Sequence, residues 1–523
     1  MKRIIRQILG WGMMLTLPLM MTSCEWFFDM LDNPITPALQ VLRAQLTMKV
    51  GESKPIQAST QTHVVLLYSS DNPAVATVDA TGLITAVSPG TARITIKAQG
   101  EDDYYRTEIF SENTTTVEVT VTKKDGSISF ATASVPKYIN DAKFTNALTT
   151  EGDGVVTYTS DNTTVAEVDA TTGEVTIKGA GTATITAIIT DSDEYAYKTK
   201  TVSYTLTVDP AINLAALSGD YIAQNGDVLT GTLAGNYKIS IAAGASVELK
   251  DVTINGGNNS STNWAGLTCD GNATITITGT NTVKGFYYEY PGIQAGPIGK
   301  TLTISGTGSL TATGSSNAAG IGSGYNHASC GDITINDGIL YASSSFSGAG
   351  IGSGSDNSSC GNIIINGGIL YASSSFSGAG IGSGSANSSC GNIIINGGTV
   401  NANAQYGAGI GSGGINSSCG AITISGGTIN AISYGHGAGI GSGVASTFGS
   451  ITITAGITQV QATRNNAAVW PIGKGFSDNG STGAVTINGV TVTSKDWDGT
   501  DLSGLTLTGA GTNTWTLTPT TAP

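Results

Sequence analysis

The sequence predicts an all-β protein, two small antiparallel sandwiches in tandem followed by a solenoid of stacked β coils. Three observations carry that expectation. Residues 339 to 368, ILYASSSFSGAGIGSGSDNSSCGNIIINGG, recur at 369 to 398 with the single change Asp356 to Ala386, and looser copies continue on both sides. The run YSSDNPAVATVDATGLITAVSPGTARITI from Tyr68 returns as YTSDNTTVAEVDATTGEVTIKGAGTATIT from Tyr158. Glycine fills 72 of 523 positions and only 11% are charged, against roughly 25% in ordinary globular proteins.

A chain that repeats itself at a fixed period packs each copy against the next. The marker GIGSG places its isoleucine at Ile321, Ile351, Ile381, Ile410 and Ile440 and degenerates to PIGK around Ile298 and Ile472, so one coil takes about thirty residues. Alternation across a strand turns Ile333 and Ile335 one way and Thr334 the other. Ile363 and Ile365, Ile393 and Ile395, then Ile422 and Ile424 repeat those positions, which predicts aliphatic stacks filling the interior. Asn336, Asn366, Asn396 and Ser425 follow just before turn glycines, where stacked amides can bond along the axis. A second strand turns Leu340 and Ala342 inward, repeated as Leu370 and Ala372, Val400 and Ala402, and Ile429 and Ala431. Low charge suits this stacking, because a charge repeated in every coil would face its own copy about 4.8 Å away.

The third run of each coil, GAGIGSG, has glycine at alternate positions, so Ala349, Ile351 and Ser353 share one face and the other is bare backbone. It is not a phosphate loop. Glycines at period two do not open a helix, and Gly299-Lys300-Thr301 has Gln294 where the upstream glycine is required. Cys330, Cys360, Cys390 and Cys419 each fall nine residues after a GIGSG isoleucine, with Phe448 in the slot of the next coil. Replacement by phenylalanine predicts a buried apolar column of thiols. These are either free or joined rung to rung: parallel Cβ vectors fit a disulfide poorly, yet exported proteins meet oxidants. Metal-ligand spacing is absent, and Cys269 has no assigned role.

The N-terminus addresses the chain. Lys2, Arg3 and Arg6 precede an apolar run from Ile8 to Met21, followed by Thr22, Ser23 and Cys24, the layout of a secretory signal. Cys24 after small residues resembles the lipobox of bacterial lipoproteins, which implies a lipidated Cys24. Glu25, Asp29 and Asp32 resemble the signal that sends Bacteroidetes lipoproteins to the exterior of the outer membrane. The expected location is therefore the outer membrane, lipid-anchored and facing outward. The net charge of −14 and the lack of Lys or Arg between Lys300 and Arg464 argue against nucleic acid, and against an anionic partner there unless a cation bridges.

In the duplicated unit, S-D-N-x-x-V-A-x-V-D, a turn glycine (Gly82, Gly173) and G-T-A-x-I-T stand in order in both copies. Short alternating runs broken by turns give a sandwich. Over residues 37 to 210 the motif closely resembles bacterial immunoglobulin-like domains of group 2, which implies a stalk or spacer and less often the adhesive part. The expected organisation is a signal at 1–23, a linker at 24–36, sandwiches at 37–124 and 125–210, and the solenoid at 211–523.

The solenoid opens with GDVLTGT from Gly226, ASVELKDVTIN from Ala245 and TITITGTNTV from Thr274. These runs resemble right-handed parallel β-helix proteins, three-sided, and in particular carbohydrate-binding β-helix domains of bacterial surface proteins. The resemblance implies polysaccharide binding, sometimes with calcium. Many β-helices are instead polysaccharide lyases or hydrolases, which need clustered acids with a base or paired carboxylates. The central repeats offer only Asp332, Asp337 and Asp356 as acids, each lost in a later coil, and His327 and His436 stand without a partner. No catalytic residues are assigned and no enzyme is expected. Asp496, Asp498 and Asp501 near Trp497 are the weak candidates for calcium; no other cofactor is implied. For binding, Tyr341 and Tyr371 occupy an outward slot that Asn401 and Asn430 continue, and rings beside amides suit a polysaccharide or glycoconjugate. Stacked tyrosines that merely stabilise the sheet are the plain alternative. A non-catalytic adhesin or structural surface protein that binds proteins is the second functional class. The sequence leaves the oligomeric state open.

Overall fold

The computed structural model describes residues 36–60, 64–100, 111–257, 261–477, 482–499 and 502–520. Cys24, the signal-like segment and Asp501 lie outside the described residues. No α-helix occurs among the described residues, and no helix there is long and apolar enough to cross a membrane.

The first sandwich pairs a four-stranded sheet, Gln45–Lys49, Asn113–Thr122, Gly90–Gly100 and Val64–Ser70, with a three-stranded one of Ser53–Pro55, Leu83–Ala86 and Ala76–Val78. The pairing is antiparallel except for Gln45–Lys49, which lies parallel to Asn113–Thr122. In the second, Ser134–Tyr138, Thr201–Asp209, Gly181–Ile189 and Val156–Ser160 repeat that sheet, again with one parallel edge strand. The duplicated motif supplies the same bonds twice. Asp71 Oδ1 accepts from Arg93 N–H at 2.7 Å and Asp161 Oδ1 from Thr184 N–H at 2.6 Å. Asp79 Oδ1 closes its hairpin on the N–H groups of Thr81 and Leu83, and Asp169 Oδ1 on those of Thr171 and Thr172. The turn glycines are fixed by a ring: a Cβ on Gly82 would lie 2.8 Å from Tyr68 Cζ, and one on Gly173 2.8 Å from Tyr158 Cζ.

Beyond Ile212 the chain winds as a right-handed parallel β-helix. Two strands per coil join a 21-stranded sheet, a short third strand per coil forms a 10-stranded sheet, and two-residue strands at the cysteines form a further 4-stranded one. Register is in step from coil to coil: Ile333, Ile363, Ile393, Ile422 and Ile451 pair in sequence, and so do Ile335, Ile365, Ile395, Ile424 and Ile453. All ten are fully buried, as are Leu340, Leu370, Val400, Ile429 and Val460 on the second face. Burying each such side chain contributes roughly 1.5–3 kcal/mol. The amide ladder forms as its spacing predicts, Asn366 Nδ2 donating to Asn336 Oδ1 at 2.8 Å, Asn396 to Asn366 at 2.9 Å and Ser425 Oγ to Asn396 Oδ1 at 2.9 Å.

The glycine-rich run differs from a strand with one bare outer face, because both of its sides are buried. Gly352, Gly382, Gly411 and Gly441 sit at φ of 135 to 138° and pair in register. A Cβ on Gly382 would lie 1.8 Å from the Gly411 carbonyl oxygen, so each coil approaches the next more closely than any side chain allows. The serine of GIGSG has a structural task. Ser323, Ser353, Ser383, Ser412 and Ser442 are wholly buried, and each Oγ accepts from the glycine N–H of the next coil, at Gly354, Gly384, Gly413, Gly443 and Gly475. These bonds satisfy N–H groups that would otherwise be orphaned in the interior.

At the C-terminal end the direction reverses. Thr514–Pro519 pairs antiparallel with Gln459–Thr463 and with Leu505–Thr508, placing fully buried Trp515 over the end of the core. Arg464, 2% exposed, donates to the carbonyls of Val469 and Thr512 beneath this hairpin.

Two substitutions separate these forces. Ile395→Ala leaves a cavity and should cost about 2–5 kcal/mol, read as a shifted denaturation midpoint of the β-helix transition. Gly382→Ala adds one methyl against backbone and should destabilise at least as much; a neutral result would mean the coils are not in contact there.

Candidate functional site

The strand Ile339–Ser344 turns Leu340, Ala342 and Ser344 into the core and leaves Tyr341 and Ser343 outside, a consequence of the two-residue pleat. Its copy Ile369–Ser374 pairs with it residue for residue, which sets Tyr371 directly over Tyr341. The two rings are parallel within 5° at a centroid distance of 4.9 Å, and 45% and 43% exposed. That separation matches the roughly 4.8 Å spacing of neighbouring strands, so the rings stack one per coil. Thr311 precedes the pair and Asn401, Asn430 and Gln461 continue the column in register. The structure therefore brings together all four binding candidates, as one axial row.

A second and longer aromatic column runs beside it, and sequence reasoning missed it. Phe346 stacks on Phe376 at 4.7 Å and 8°, Phe376 meets the edge of Tyr406 at 5.3 Å, Tyr406 stacks on His436 at 6.1 Å, and His436 meets Phe476 at 5.3 Å. These residues sit in the turn after the tyrosine strand. His436 is thus not alone: besides its two ring neighbours, its Nδ1 lies 2.7 Å from Asn466 Nδ2. The signal was present, since Phe346, Phe376, Tyr406 and His436 are spaced thirty apart. Ser343, Ser373 and Asn403 pair in register between the two columns.

At the N-terminal end of the second column lies a cleft of about 390 Å³, lined by Lys284, Phe286, Tyr288, Ser315, Ser316 and Ser345 among others. Tyr288 packs edge-on to Tyr325 at 5.8 Å, and its hydroxyl accepts from Asn317 Nδ2 at 3.0 Å.

The acids of the central repeats are engaged within the fold. Asp332 Oδ1 accepts from the N–H of Asn362 at 2.7 Å, and Asn362 and Asn392 repeat that bond one coil on. Asp337 Oδ1 accepts from Gly338 N–H. His327 lies in a turn with φ +59° and its N–H bonds the carbonyl of Asp356. Near the C-terminus Asp496 pairs with Lys495 at 2.6 Å and approaches Arg464 at 4.0 Å. Among the described residues no three His, Cys, Asp or Glu side chains group as metal ligands.

Cys330, Cys360, Cys390 and Cys419 form the predicted buried column and are free thiols, as is Cys269. Hydrogen bonding with Cys330 and burial push the Cys360 thiol up, hydrogen bonding with Cys419 and burial do the same for Cys390, and burial raises Cys269 to about 12.

Family models locate the parts. The bacterial Ig-like domain (group 2) matches residues 35–107, the intimin immunoglobulin-like domain matches 142–193, and the β-helix repeat matches 302–325, 333–355, 363–385, 393–414 and 422–444. The chain thus carries Ig-like domains followed by a β-helix repeat region, an arrangement that fits a surface or adhesin-like protein. Among solved structures, domains 4 and 5 of the S-layer protein SbsC align at 19% identity over 34% of this chain and 99% of that one, with a TM-score of 0.20. The titin domains z1z2 in complex with telethonin align at 13% over 34% and 97%, TM-score 0.23, and Drosophila N-cadherin EC1-4 at 15% over 37% and 56%, TM-score 0.15. At such scores these likenesses carry no argument about this chain. No curated protein matches it.

The raised thiols set a pH dependence. In the unfolded chain they ionise near 9, whereas the folded protein keeps them protonated, so unfolding releases protons and stability should fall as pH rises from about 9 toward 12. Below 9 this contribution is fully present. Ellman's reagent at pH 8 should leave the five thiols untouched until denaturant is added; rapid labelling of the folded protein would contradict the buried column.

Proposed function

We propose that this chain is a cell-surface lipoprotein, anchored through Cys24 in the outer membrane and facing outward. Its Ig-like domains act as the stalk and its β-helix as a non-catalytic binder of polysaccharide or glycoconjugate. The observation that carries the reading is the pair of exposed aromatic columns on a sheet that is otherwise neutral and small in side chain. Sugars pack their C–H faces on aromatic rings and bond hydroxyls to amides and serines, and both chemistries stand here in repeating rows. A flat, periodic surface suits a polymer, which can touch several coils at once. The stretch free of Lys and Arg leaves the tyrosine column itself suited to uncharged stretches of that polymer.

A second reading is favoured by the ring geometry. Because each stacked ring partly covers its neighbour, the columns show edges as well as faces, and apolar edges in rows also suit a protein partner. Catalysis as a lyase or hydrolase is the third reading and has no residues assigned to it.

Glycan-array binding by the whole protein and by a Tyr341→Ala/Tyr371→Ala variant separates these readings. Polysaccharide retention by the wild type that drops about tenfold or more in the variant is expected. Retention of proteins with no glycan bound would favour the adhesin. Repeating the binding with a chelator present tests calcium, and shortening of a retained polymer would reveal catalysis.

A further inference from the structure

In a stacked column ring faces are spent on neighbouring rings, so a ligand finds open faces at the ends of the stack, of which the Phe346 end is one. Ser344 Oγ donates to the Ser316 carbonyl at 3.1 Å just as Ser374 Oγ donates to the Phe346 carbonyl at 3.2 Å. Ser316 therefore holds, in its own coil, the place Phe346 holds in the next. Phe346 gives one face to Phe376, and on the side of the preceding coil its counterpart is a serine too small to cover a ring. Ser316 and Ser345 both line the 390 Å³ cleft, whose size falls within the roughly 300–1,000 Å³ of small-ligand sites.

The rest of the lining adds hydroxyls, one cation, glycine backbone and the rings of Phe286 and Tyr288. Ser315 Oγ donates to the Gly285 carbonyl at 3.0 Å and keeps its lone pairs free to accept. Tyr288 accepts from Asn317 and keeps its hydrogen free to donate. Lys284 is exposed at the end of the strand Thr280–Lys284, and none of the residues lining the cleft is acidic. Lys284 is the one basic residue of the lining, and no Lys or Arg follows between Lys300 and Arg464.

We infer that this cleft binds the terminal pyranose of a glycan, that the sugar carries a carboxylate, and that its ring packs on Tyr288, the exposed ring of the lining, while the carboxylate meets Lys284. The inference rests on the glycan-binding reading and adds where the chain ends and what charge that end bears. Polar contacts to Ser315, Ser316, Ser345 and Tyr288 fix the orientation, and a charge-assisted bond to Lys284 sets the preference.

The test is calorimetric titration of the whole protein with two oligosaccharides of equal length, one ending in glucuronic acid and one in glucose. The acid-ended chain should bind about tenfold more tightly at low salt, with the advantage shrinking as salt rises. Lys284→Met should erase that advantage, bringing the acid-ended and neutral chains to the same affinity. Ser345→Trp, which fills the cleft from an exposed position, should weaken both, with an unchanged thermal melt reporting that the fold is intact. Equal binding of the two chains by the wild type, or an undiminished preference in Lys284→Met, overturns the cleft assignment while leaving glycan binding in place. Binding of neither by the wild type overturns the glycan reading and this inference with it.

Discussion

The axial spacing of a parallel sheet, about 4.8 Å from one coil to the next, is the constraint on which the β-helix depends. Every residue lies within contact distance of its own copy, so each position is selected for how it meets itself. Isoleucine on isoleucine fills the core without polar atoms. Asparagine on asparagine bonds along the axis, donor to acceptor, and serine oxygens accept from the glycine N–H of the coil above. Glycine on glycine permits the closest approach, where any Cβ would strike a carbonyl. Lysine or glutamate in such a column would repel its copy, and the composition reflects that exclusion over the whole repeat region.

The same constraint turns surface side chains into rows. A single aromatic residue fixed in one coil becomes a stacked pair when the coil is duplicated, as with Tyr341 and Tyr371 or Phe346 and Phe376. Stacking has opposite consequences for stability and recognition: it stabilises the sheet, and it takes ring faces away from any ligand. The ends of rows, where a ring meets a serine or an amide, therefore differ chemically from their middles. On the glycan-binding reading proposed above, such breaks in the repeat are where a ligand would find open ring faces, the Phe346 end being one of them.

The period near thirty made the solenoid legible, because register in a stack follows directly from sequence spacing; the paired isoleucines, the amide ladder and the thiol column all fall where their spacing puts them. The tyrosine row was legible because its strand alternates cleanly. The row of Phe346, Phe376, Tyr406 and His436 was harder to see, since it runs through turns and changes residue type at each of its last steps. The glycine-rich run was read as half bare, whereas the narrow coil buries both its sides and uses its serines as internal acceptors. The cleft depends on how residues 284–288 rise beside the serines of the two following coils, a meeting of irregular segments that periodicity does not encode. In the sandwiches the repeated Asp and Asn of the motif proved to be backbone acceptors and donors that pin turns to strands.

A stack of parallel coils would, if left open, present its last rung as a template onto which another chain could add. The hairpin of Leu505–Thr508 and Thr514–Pro519 meets that rung in the opposite sense, and the indole of Trp515 plugs the apolar bore. An antiparallel strand occupies the edge of Gln459–Thr463 where a further parallel coil would otherwise pair, so on that face the stack is closed by the chain's own last strands.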